Sequence, residues 1–449
     1  MYELLERANA AVWGLPLLIL ILGVGIYISI RTRLAQFRLF PKALRAFLKQ
    51  FKKSGNAEGV SSYRALYTAL AATVGTGNLA GVAGAIAIGG PGSIFWMWVC
   101  ALIGMATKFA EATLAVRYRQ MENDGSFIGG PMYMIQNGLD KKWHFLAYIY
   151  CFLGVVASFG VGNATQINTV IGGVESVAAA FGTDISFAAK LLVGGVLAVL
   201  LTVMLLGGAK RIGVATEILV PVVSAGYLLL GTIVLIMKIE AVPSAFGAIF
   251  NGAFNPQAVT GGVIGSFFAT LRVGASRGVF TNEAGMGTAS IAHASGNVKH
   301  PAQQGLMGIM EVFIDTIVIC TVTALVILCS GVYIGYGVDT GVSLTAEAFS
   351  EVCGEWVCIP LTFALCCFAI ATVLGWGLYG VRCAQFLFGN DAWKKFVLLQ
   401  GVMVVVGAVL NTGTVWLLAD IVNGLMAIPN LIALLLLTPE LLKLTRKNA

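Results

Sequence analysis

Long apolar blocks alternate along the chain with short polar segments. A helix that crosses a bilayer needs about 20 mostly apolar residues. Such runs recur eleven times, at residues 13–30, 64–88, 93–117, 144–172, 188–207, 212–237, 258–294, 302–331, 357–387, 395–411 and 415–437. The first run does not read as a cleavable leader, because Glu3 and Glu6 precede it and arginines follow it where small residues would stand. The seventh is too long and too rich in glycine for one straight helix. The pattern predicts an all-α polytopic membrane protein of about eleven spans.

Composition sharpens this reading. Only 11% of the 449 residues are charged and 58% are hydrophobic, against roughly 25% charged in an ordinary soluble domain. Mean hydropathy is +0.87. So few charges cannot cover so much apolar surface in water, which excludes a soluble enzyme, and disorder fails for the opposite reason. The net charge of +7 has a topological meaning. Of 28 Lys and Arg, 21 lie in segments 31–62, 117–143, 207–213, 295–301, 382–395 and 438–449. The alternate segments hold only Arg7, Lys190 and Lys238, and the segment 332–356 carries Asp339, Glu347, Glu351 and Glu355 with no basic residue. Cytoplasmic loops concentrate Lys and Arg, so this places a multi-pass protein in the cell membrane with its N-terminus outside and its C-terminus in the cytoplasm. The segment 31–53 interleaves eight basic residues with Leu34, Phe37, Leu39, Phe40, Leu44, Phe47, Leu48 and Phe51. Between two spans, that pattern reads as a helix on anionic lipid rather than a nucleic-acid site.

Few catalytic signatures remain. There is no HExxH and no Walker A string, so neither a metalloprotease nor ATP binding is indicated. His144, His293 and His300 are dispersed, and seven of nine cysteines lie in or against apolar runs. Cys353 and Cys358 sit in a polar segment where an oxidising exterior permits a disulfide.

Two spans carry polar and glycine residues at mid-membrane, where irregular backbone is tolerated only if it lines a cavity or is buried in protein. The second has Gly75, Thr76, Gly77 and Asn78 at its centre. The seventh has Gly274, Ser276, Gly278, Asn282 and Glu283. Two interrupted segments in corresponding positions point to a transporter binding site. Setting the first span aside leaves two sets of five, 63–237 and 258–437, each opening on an interrupted span. Five is odd, so the two sets have opposite orientation, an inverted repeat by parity. The remaining parts are the extra helix 1–30, the basic segment 31–62 and the tail 438–449. Each second helix of a set carries intramembrane charge, Lys108 and Glu111 in one and Glu311 and Asp315 in the other. Lys108 and Glu111 at i, i+3 spacing can pair on one face.

The break at Gly75–Gly77 supplies chemistry. It frees backbone N–H groups at the start of one half-helix, where the dipole favours a carboxylate, and carbonyls at the end of the other, where a cation is favoured. One site can then hold a zwitterion beside a hard cation. Helix packing through small residues is the structural alternative. It accounts for AGVAGAIA but not for Thr76 and Asn78.

The run TVGTGNLAGVAGAIAIGGPGSIFWMW (Thr73 to Trp98) resembles the signature of the alanine/glycine:cation symporter family, and SRGVFTNEAGMGTA (Ser276 to Ala289) resembles its second hallmark. The resemblance extends over essentially the whole chain. It implies uptake of alanine or glycine with Na⁺, sometimes H⁺, and no enzymatic activity or cofactor. A more remote likeness, of AATVGTGN to the broken helix of the bacterial leucine transporter, implies a fold of that type and suggests ligands. On it, Ala71 and Val74 offer carbonyls to one sodium, Thr73 and Asn78 serve a second, and the amides of Thr76 and Gly77 take the substrate carboxylate. FFATLRVGAS suggests Thr270 near the second sodium, and Ala369 and Thr372 match the place that completes the first. Phe159, Asn163 and Gln166, at i, i+4 and i+7, share one helix face and would line the pocket together with Gly75, Gly274, Ser276 and Trp376. Arg277 and Glu283 are candidates for a gating pair. Proton-coupled or exchange-mode transport, through Glu111, Glu217, Asp315 or Asp420, is the alternative mechanism. A passive channel is a remoter one, since one chain with two different breaks lacks the repeated ring that a filter needs.

Overall fold

The computed structural model describes residues 2–49, 60–122, 125–180, 182–338, 341–409 and 413–446. It is helical almost throughout. In chain order the helices are α1 (Tyr2–Val12), α2 (Leu15–Arg31), α3 (Ala35–Arg38), α4 (Phe40–Lys49), α5 (Ser62–Thr73), α6 (Val82–Gly89), α7 (Gly92–Tyr118), α8 (Pro131–Gly138), α9 (Phe145–Phe159), α10 (Thr165–Ala180) and α11 (Phe187–Leu206). There follow α12 (Gly208–Met237), α13 (Val242–Phe254), α14 (Pro256–Val259), α15 (Phe267–Asn282), α16 (Thr288–Ala294), α17 (Pro301–Val312), α18 (Thr321–Ser330), α19 (Val342–Cys353), α20 (Cys358–Phe388), α21 (Ala392–Val409) and α22 (Gly413–Arg446). A two-residue hairpin, β1 (Gln120–Met121) with β2 (Phe127–Ile128), caps one basic loop. Three π turns, Gly77–Gly81, Gly160–Ala164 and Phe313–Cys320, join α5 to α6, α9 to α10 and α17 to α18.

Among the described residues, nine helices are long and apolar enough to cross a membrane, ten when the pair Ser62–Thr73 and Gly77–Gly89, bent by 53°, counts as one span. The seventh apolar run, 258–294, forms no such helix. It divides into α14, α15 and α16, the last two of 16 and 7 residues. The connection between α12 and α15 also contains α13, whose Pro243 at the first turn and buried Ala245, Ile249 and Gly252 make it a packed element rather than a loop. Its Gly252 lets α7 begin against bare backbone: a Cβ on Gly92 would fall 2.1 Å from the Gly252 carbonyl carbon.

Burial separates two kinds of helix. α7 is enclosed, with Phe109, Ala110, Ala112, Leu114 and Ala115 fully buried. It packs on α2, α15 and α17. By contrast α11 turns Leu192, Val196 and Val199 outward and α12 turns out Ile218, Val222 and Leu229, the apolar surface a helix presents to lipid tails. Among the described residues fourteen glycines have positive φ, two of them, Gly285 and Gly287, at the second break described below.

Two polar segments are more structured than their composition predicts. The basic segment is not laid wholly on lipid. α4 buries Ala43 and packs on α17, with the Phe40 and Phe313 rings 4.9 Å apart and the Tyr63 hydroxyl donating to the Ala46 carbonyl at 2.9 Å. Phe37 and Leu48 stay exposed, while Phe51, Lys52 and Lys53 lie outside the described residues. In the acidic segment, α19 buries Leu344, Thr345 and Phe349. The Thr345 hydroxyl donates to the Leu79 carbonyl at 3.2 Å, so this helix presses on the broken span. Cys353 and Cys358 are both free thiols.

Candidate functional site

The first break is where the sequence places it. α5 runs to Thr73, Val74 turns extended (φ −75°, ψ 104°), and helix resumes at Gly77. In an unbroken helix the Gly75 amide would bond the Ala71 carbonyl. Here it donates to the Asn78 side-chain oxygen at 2.8 Å, and the released Ala71 carbonyl accepts from the Thr372 hydroxyl of α20 at 3.1 Å. Space enforces the glycine, since a Cβ at Gly75 would lie 2.7 Å from the Thr372 oxygen. Ala369, one turn earlier on α20, is fully buried. The Thr73 hydroxyl turns back towards the carbonyls of Ala69 and Leu70, at 3.4 and 3.5 Å.

Thr76 donates to the Gln166 side-chain oxygen at 3.2 Å, which ties α10 to the break, and Gln166 in turn donates to the Val161 carbonyl. Its proposed neighbours face elsewhere. The Asn163 amide donates to the backbone and side-chain oxygens of Gln400 on α21, and the Phe159 ring packs on Phe396 of α21 at 5.0 Å. Only a straight α-helix would put all three on one face. The π turn at Gly160–Ala164 adds a residue between Phe159 and Gln166 and changes their phase, so only Gln166 reaches the break.

Trp376 of α20 is 1% exposed and lies over the same π turn, with a Cβ on Gly162 falling 2.3 Å from the Trp376 Cβ. Its indole N–H donates at 3.0 Å to Glu283. Glu283 belongs to the second break, which falls at the C-terminal end of the expected interval Gly274–Glu283. α15 is continuous through Gly274 and Ser276 to Asn282. Gly274 is required there by packing, because a Cβ would meet the Ser93 carbonyl oxygen of α7 at 2.3 Å. The string Gly274–Ala275–Ser276–Arg277–Gly278 has the G-x-S-x-G spacing of a hydrolase elbow, but it lies in mid-helix rather than on a strand-to-helix turn. The chain breaks nine residues further on, where Glu283, Gly285 and Gly287 all have positive φ (53°, 96° and 79°). Glu283 is bonded by Trp376 and Thr288, so α20 and its own loop hold the carboxylate that was expected to face Arg277. Thr270, expected near a sodium, instead donates to the Gly89 carbonyl at 2.8 Å. That is eleven residues, or roughly 17 Å of helix, beyond Asn78.

The two breaks meet. The nearest atoms to a Cβ on Gly77 would be those of Phe280 and Thr281, 3.8 Å away. The Asn282 amide donates to the Thr316 hydroxyl at 3.2 Å, and the Asn78 amide donates to Asp315 Oδ1 at 2.8 Å and to the Asp315 carbonyl at 3.1 Å. Both contacts fall on the π turn of the α17–α18 span.

Behind this site is a buried charge network that spacing alone mispaired. Lys108 does not pair with Glu111. It crosses to Glu311 of α17 at 2.9 Å, with both side chains at most 1% exposed. Glu311 also contacts His293 at 2.7 Å, His293 contacts Gln304, and Gln304 accepts from Ser62 at the start of α5. Glu111 instead accepts from the amides of Gly285 and Gly287 and from Asn430 of α22, at 3.0, 3.1 and 2.7 Å. These are the donors that a left-handed loop turns toward an anion. Glu217 is half-buried in a pair with Arg64 at 2.6 Å. No regularity of sequence signals Gln304, Gln400 or Asn430, whose partners lie on other helices.

Thr76, Asn78, Gln166 and Thr372 are all at most 4% exposed, while Gly77 between them is partly exposed. A cavity of about 810 Å³ opens on the side of the basic loops. It follows α20 from Gln385 through Arg382 to Leu378, and Arg382 pairs with Glu122 at its wall at 3.1 Å. It ends six residues, or about 9 Å of helix, short of Thr372.

Comparison with known proteins agrees with this architecture. The model of the sodium:alanine symporter family matches residues 1–448. The chain is 42% identical over 443 residues to the sodium/alanine symporter AgcS of Methanococcus maripaludis, covering 97% of this chain and 94% of that protein. It is 38% identical to the amino-acid carrier protein AlsT of Bacillus subtilis (97% and 90% covered) and 38% identical to that organism's probable sodium/glutamine symporter GlnT (98% and 89%). In three dimensions it is similar to MhsT, solved in complex with L-phenylalanine, with a TM-score of 0.60 at 13% identity over 88% of this chain and 99% of that one. At that identity the likeness concerns the fold. The broken α5–α6 span, the polar groups that meet it from α10, α20 and the α17–α18 span, and the match along the whole chain together assign this protein to the sodium:alanine symporter family, a family of Na⁺-coupled amino-acid symporters.

Proposed function

We propose that the chain takes up a small neutral amino acid, alanine or glycine, together with Na⁺ by alternating access between the two sides of the membrane. The observation that carries this reading is the break at Gly75–Asn78, whose Thr76 and Asn78 are buried and whose freed groups are met by Gln166 of α10 and Thr372 of α20. The amides of Thr76 and Gly77 begin a half-helix and lack intrahelical acceptors, which suits the substrate carboxylate. The carbonyls of Ala71 and Val74 end the other half-helix and, with Ala369 and the Thr372 hydroxyl, suit a sodium ion. Thr73 and Asn78 flank them. Gln166 is the polar side chain best placed for the substrate's amino group. Phe159 and Asn163 act through α21, and Gly274, Ser276 and Thr270 through helix packing.

The repeats 63–237 and 258–437 rock against each other in this reading, with 1–30 as an accessory helix and the basic segments 31–62 and 438–449 on the cytoplasmic side. The N-terminus is then outside and the 810 Å³ cavity is a cytoplasmic vestibule. One Na⁺ entering down ~100 mV provides ~2.3 kcal/mol, and a tenfold gradient adds ~1.4 kcal/mol. Together these sustain roughly 500-fold accumulation of a neutral amino acid without ATP. The indole of Trp376 lies on Gly162 with no room for a methyl group between them, which supports a small substrate.

The test is uptake of radiolabelled alanine by the purified chain in liposomes under an imposed Na⁺, K⁺ or H⁺ gradient, with unlabelled amino acids as competitors. An inward Na⁺ gradient should drive uptake, and glycine should compete while leucine does not. An extra isobutyl group in a packed site costs ~1–3 kcal/mol, or roughly 5- to 150-fold in affinity. Uptake indifferent to Na⁺ refutes the coupling. Leucine competing as well as alanine refutes the small pocket.

A further inference from the structure

Asp315 is fully buried, and the groups bonded to its carboxylate, Asn78 and Thr316, are both neutral. One carboxylate oxygen accepts from the Asn78 amide at 2.8 Å and the other from the Thr316 hydroxyl at 2.7 Å. The nearest ion pair, Lys108 with Glu311, lies one turn away on the same span and neutralises itself at 2.9 Å. A carboxylate inside a membrane protein is costly without a compensating cation. The residue also stands on a π turn, a geometry that recurs at functional sites, and faces the broken span. Asn78 cannot supply the missing charge, and its own oxygen is already engaged by the Gly75 amide.

We propose that Asp315 supplies the charged oxygen that holds the transported Na⁺ against the break of α5, with Thr316 as a neutral oxygen beside it. This rests on the Na⁺-coupled reading above and adds to it the group that balances the ion's charge. Asn78 has the role of a positioning residue: its amide fixes the carboxylate while its oxygen fixes the Gly75 turn, so cation binding at Asp315 is felt in the backbone that offers amides to the substrate. Coupling between ion and substrate then runs through one side chain. The Asn282 amide, bonded to Thr316 at 3.2 Å, brings the end of α15 to the same point, so that an ion at Asp315 draws both broken spans to the π turn.

The experiment uses the purified full chain and compares wild type with Asp315→Asn and Asp315→Glu. Na⁺ is titrated against choline with thermal stability as one readout and alanine uptake in liposomes as the other. Wild type should be stabilised by Na⁺. Asp315→Asn, nearly isosteric but uncharged, should need at least tenfold more Na⁺ for both responses, and Asp315→Glu should fall between the two. A purely structural role for Asp315 would lower stability at every Na⁺ concentration and leave the concentration dependence unchanged, which overturns the proposal. Should Asp315→Asn fail to fold, the glutamate variant decides, and a Na⁺ dependence equal to wild type overturns the proposal. If wild type itself shows no response to Na⁺, the coupling reading fails and the assignment of Asp315 falls with it. If wild type responds and Asp315→Asn matches it, only the assignment falls.

Discussion

The Lys108–Glu311 pair permits a quantitative test. Both side chains are at most 1% exposed, and Glu311 has a second partner in His293 at 2.7 Å. Removing one member of a buried pair leaves an uncompensated charge and costs about 3–5 kcal/mol. The two single variants should differ. Glu311→Gln leaves the Lys108 ammonium without a bonded carboxylate, with Glu111 and Glu283 acting on it only through space, whereas Lys108→Met leaves Glu311 with His293 still bonded to it, so the first should be the more damaging. The double variant Lys108→Met, Glu311→Gln removes both charges and keeps a side-chain amide for His293, and it should recover most of the loss. If 449 residues unfold as one unit with an entropy of ~2.1 cal/mol/K per residue, 3–5 kcal/mol corresponds to roughly 3–5 °C. The assay is thermal unfolding of the purified protein in detergent, with a thiol-reactive dye reporting exposure of the buried cysteines. Single variants that melt with wild type, or a double variant no better than Glu311→Gln, would refute the claim that this pair is electrostatically obligatory.

Two further outcomes are expected. Gly75→Ala places a Cβ 2.7 Å from the Thr372 oxygen, so the Thr372–Ala71 bond must give way. Alanine uptake at limiting Na⁺ should fall at least tenfold, and uptake equal to wild type would dissociate Thr372 from the site. Tyr333, 87% exposed in the acidic segment, should be reached from outside: Tyr333→Cys in a cysteine-free background should react with an impermeant thiol reagent on intact cells, and labelling only after lysis would invert the orientation.

Much of this was legible in the sequence, for local reasons. The Gly75–Asn78 break was visible because its glycines and its polar side chains fall within one turn. The basic loops were visible because charge in a membrane protein has few places to go. What was not legible depended on partners from distant segments. Lys108 and Glu111 have the right spacing to pair, but Glu311 on α17 lies closer to the lysine, and the loop amides of Gly285 and Gly287 capture the glutamate. The sequence marks the second break only as an interval, Gly274 to Glu283, because a glycine inside a span, such as Gly274, can mark irregular backbone or close packing. Here α7 makes Gly274 a packing residue, and the positive φ of Glu283 sets the break at the far end of that interval. Phe159 and Asn163 share a face with Gln166 only in a regular helix, and the π turn at Gly160–Ala164 that breaks the phase has no sequence signature.

The π turns also bear on how this protein can change length. Each stores one residue that an α-helix would not need. Deleting a single residue within Gly160–Ala164 would let ordinary helix run from α9 into α10 with no cap lost and no charge exposed. Everything beyond would keep its face, because the π turn already absorbs that residue, and Gln166 would still point at Thr76. An uninterrupted span such as α7 has no spare residue to give up. A deletion there would rotate everything beyond it by about 100° and shift it by about 1.5 Å. The harm done by a missing residue therefore depends on where it falls: a π turn can take up the loss, while a regular helix passes it on to every side chain that follows, with composition and hydropathy almost untouched.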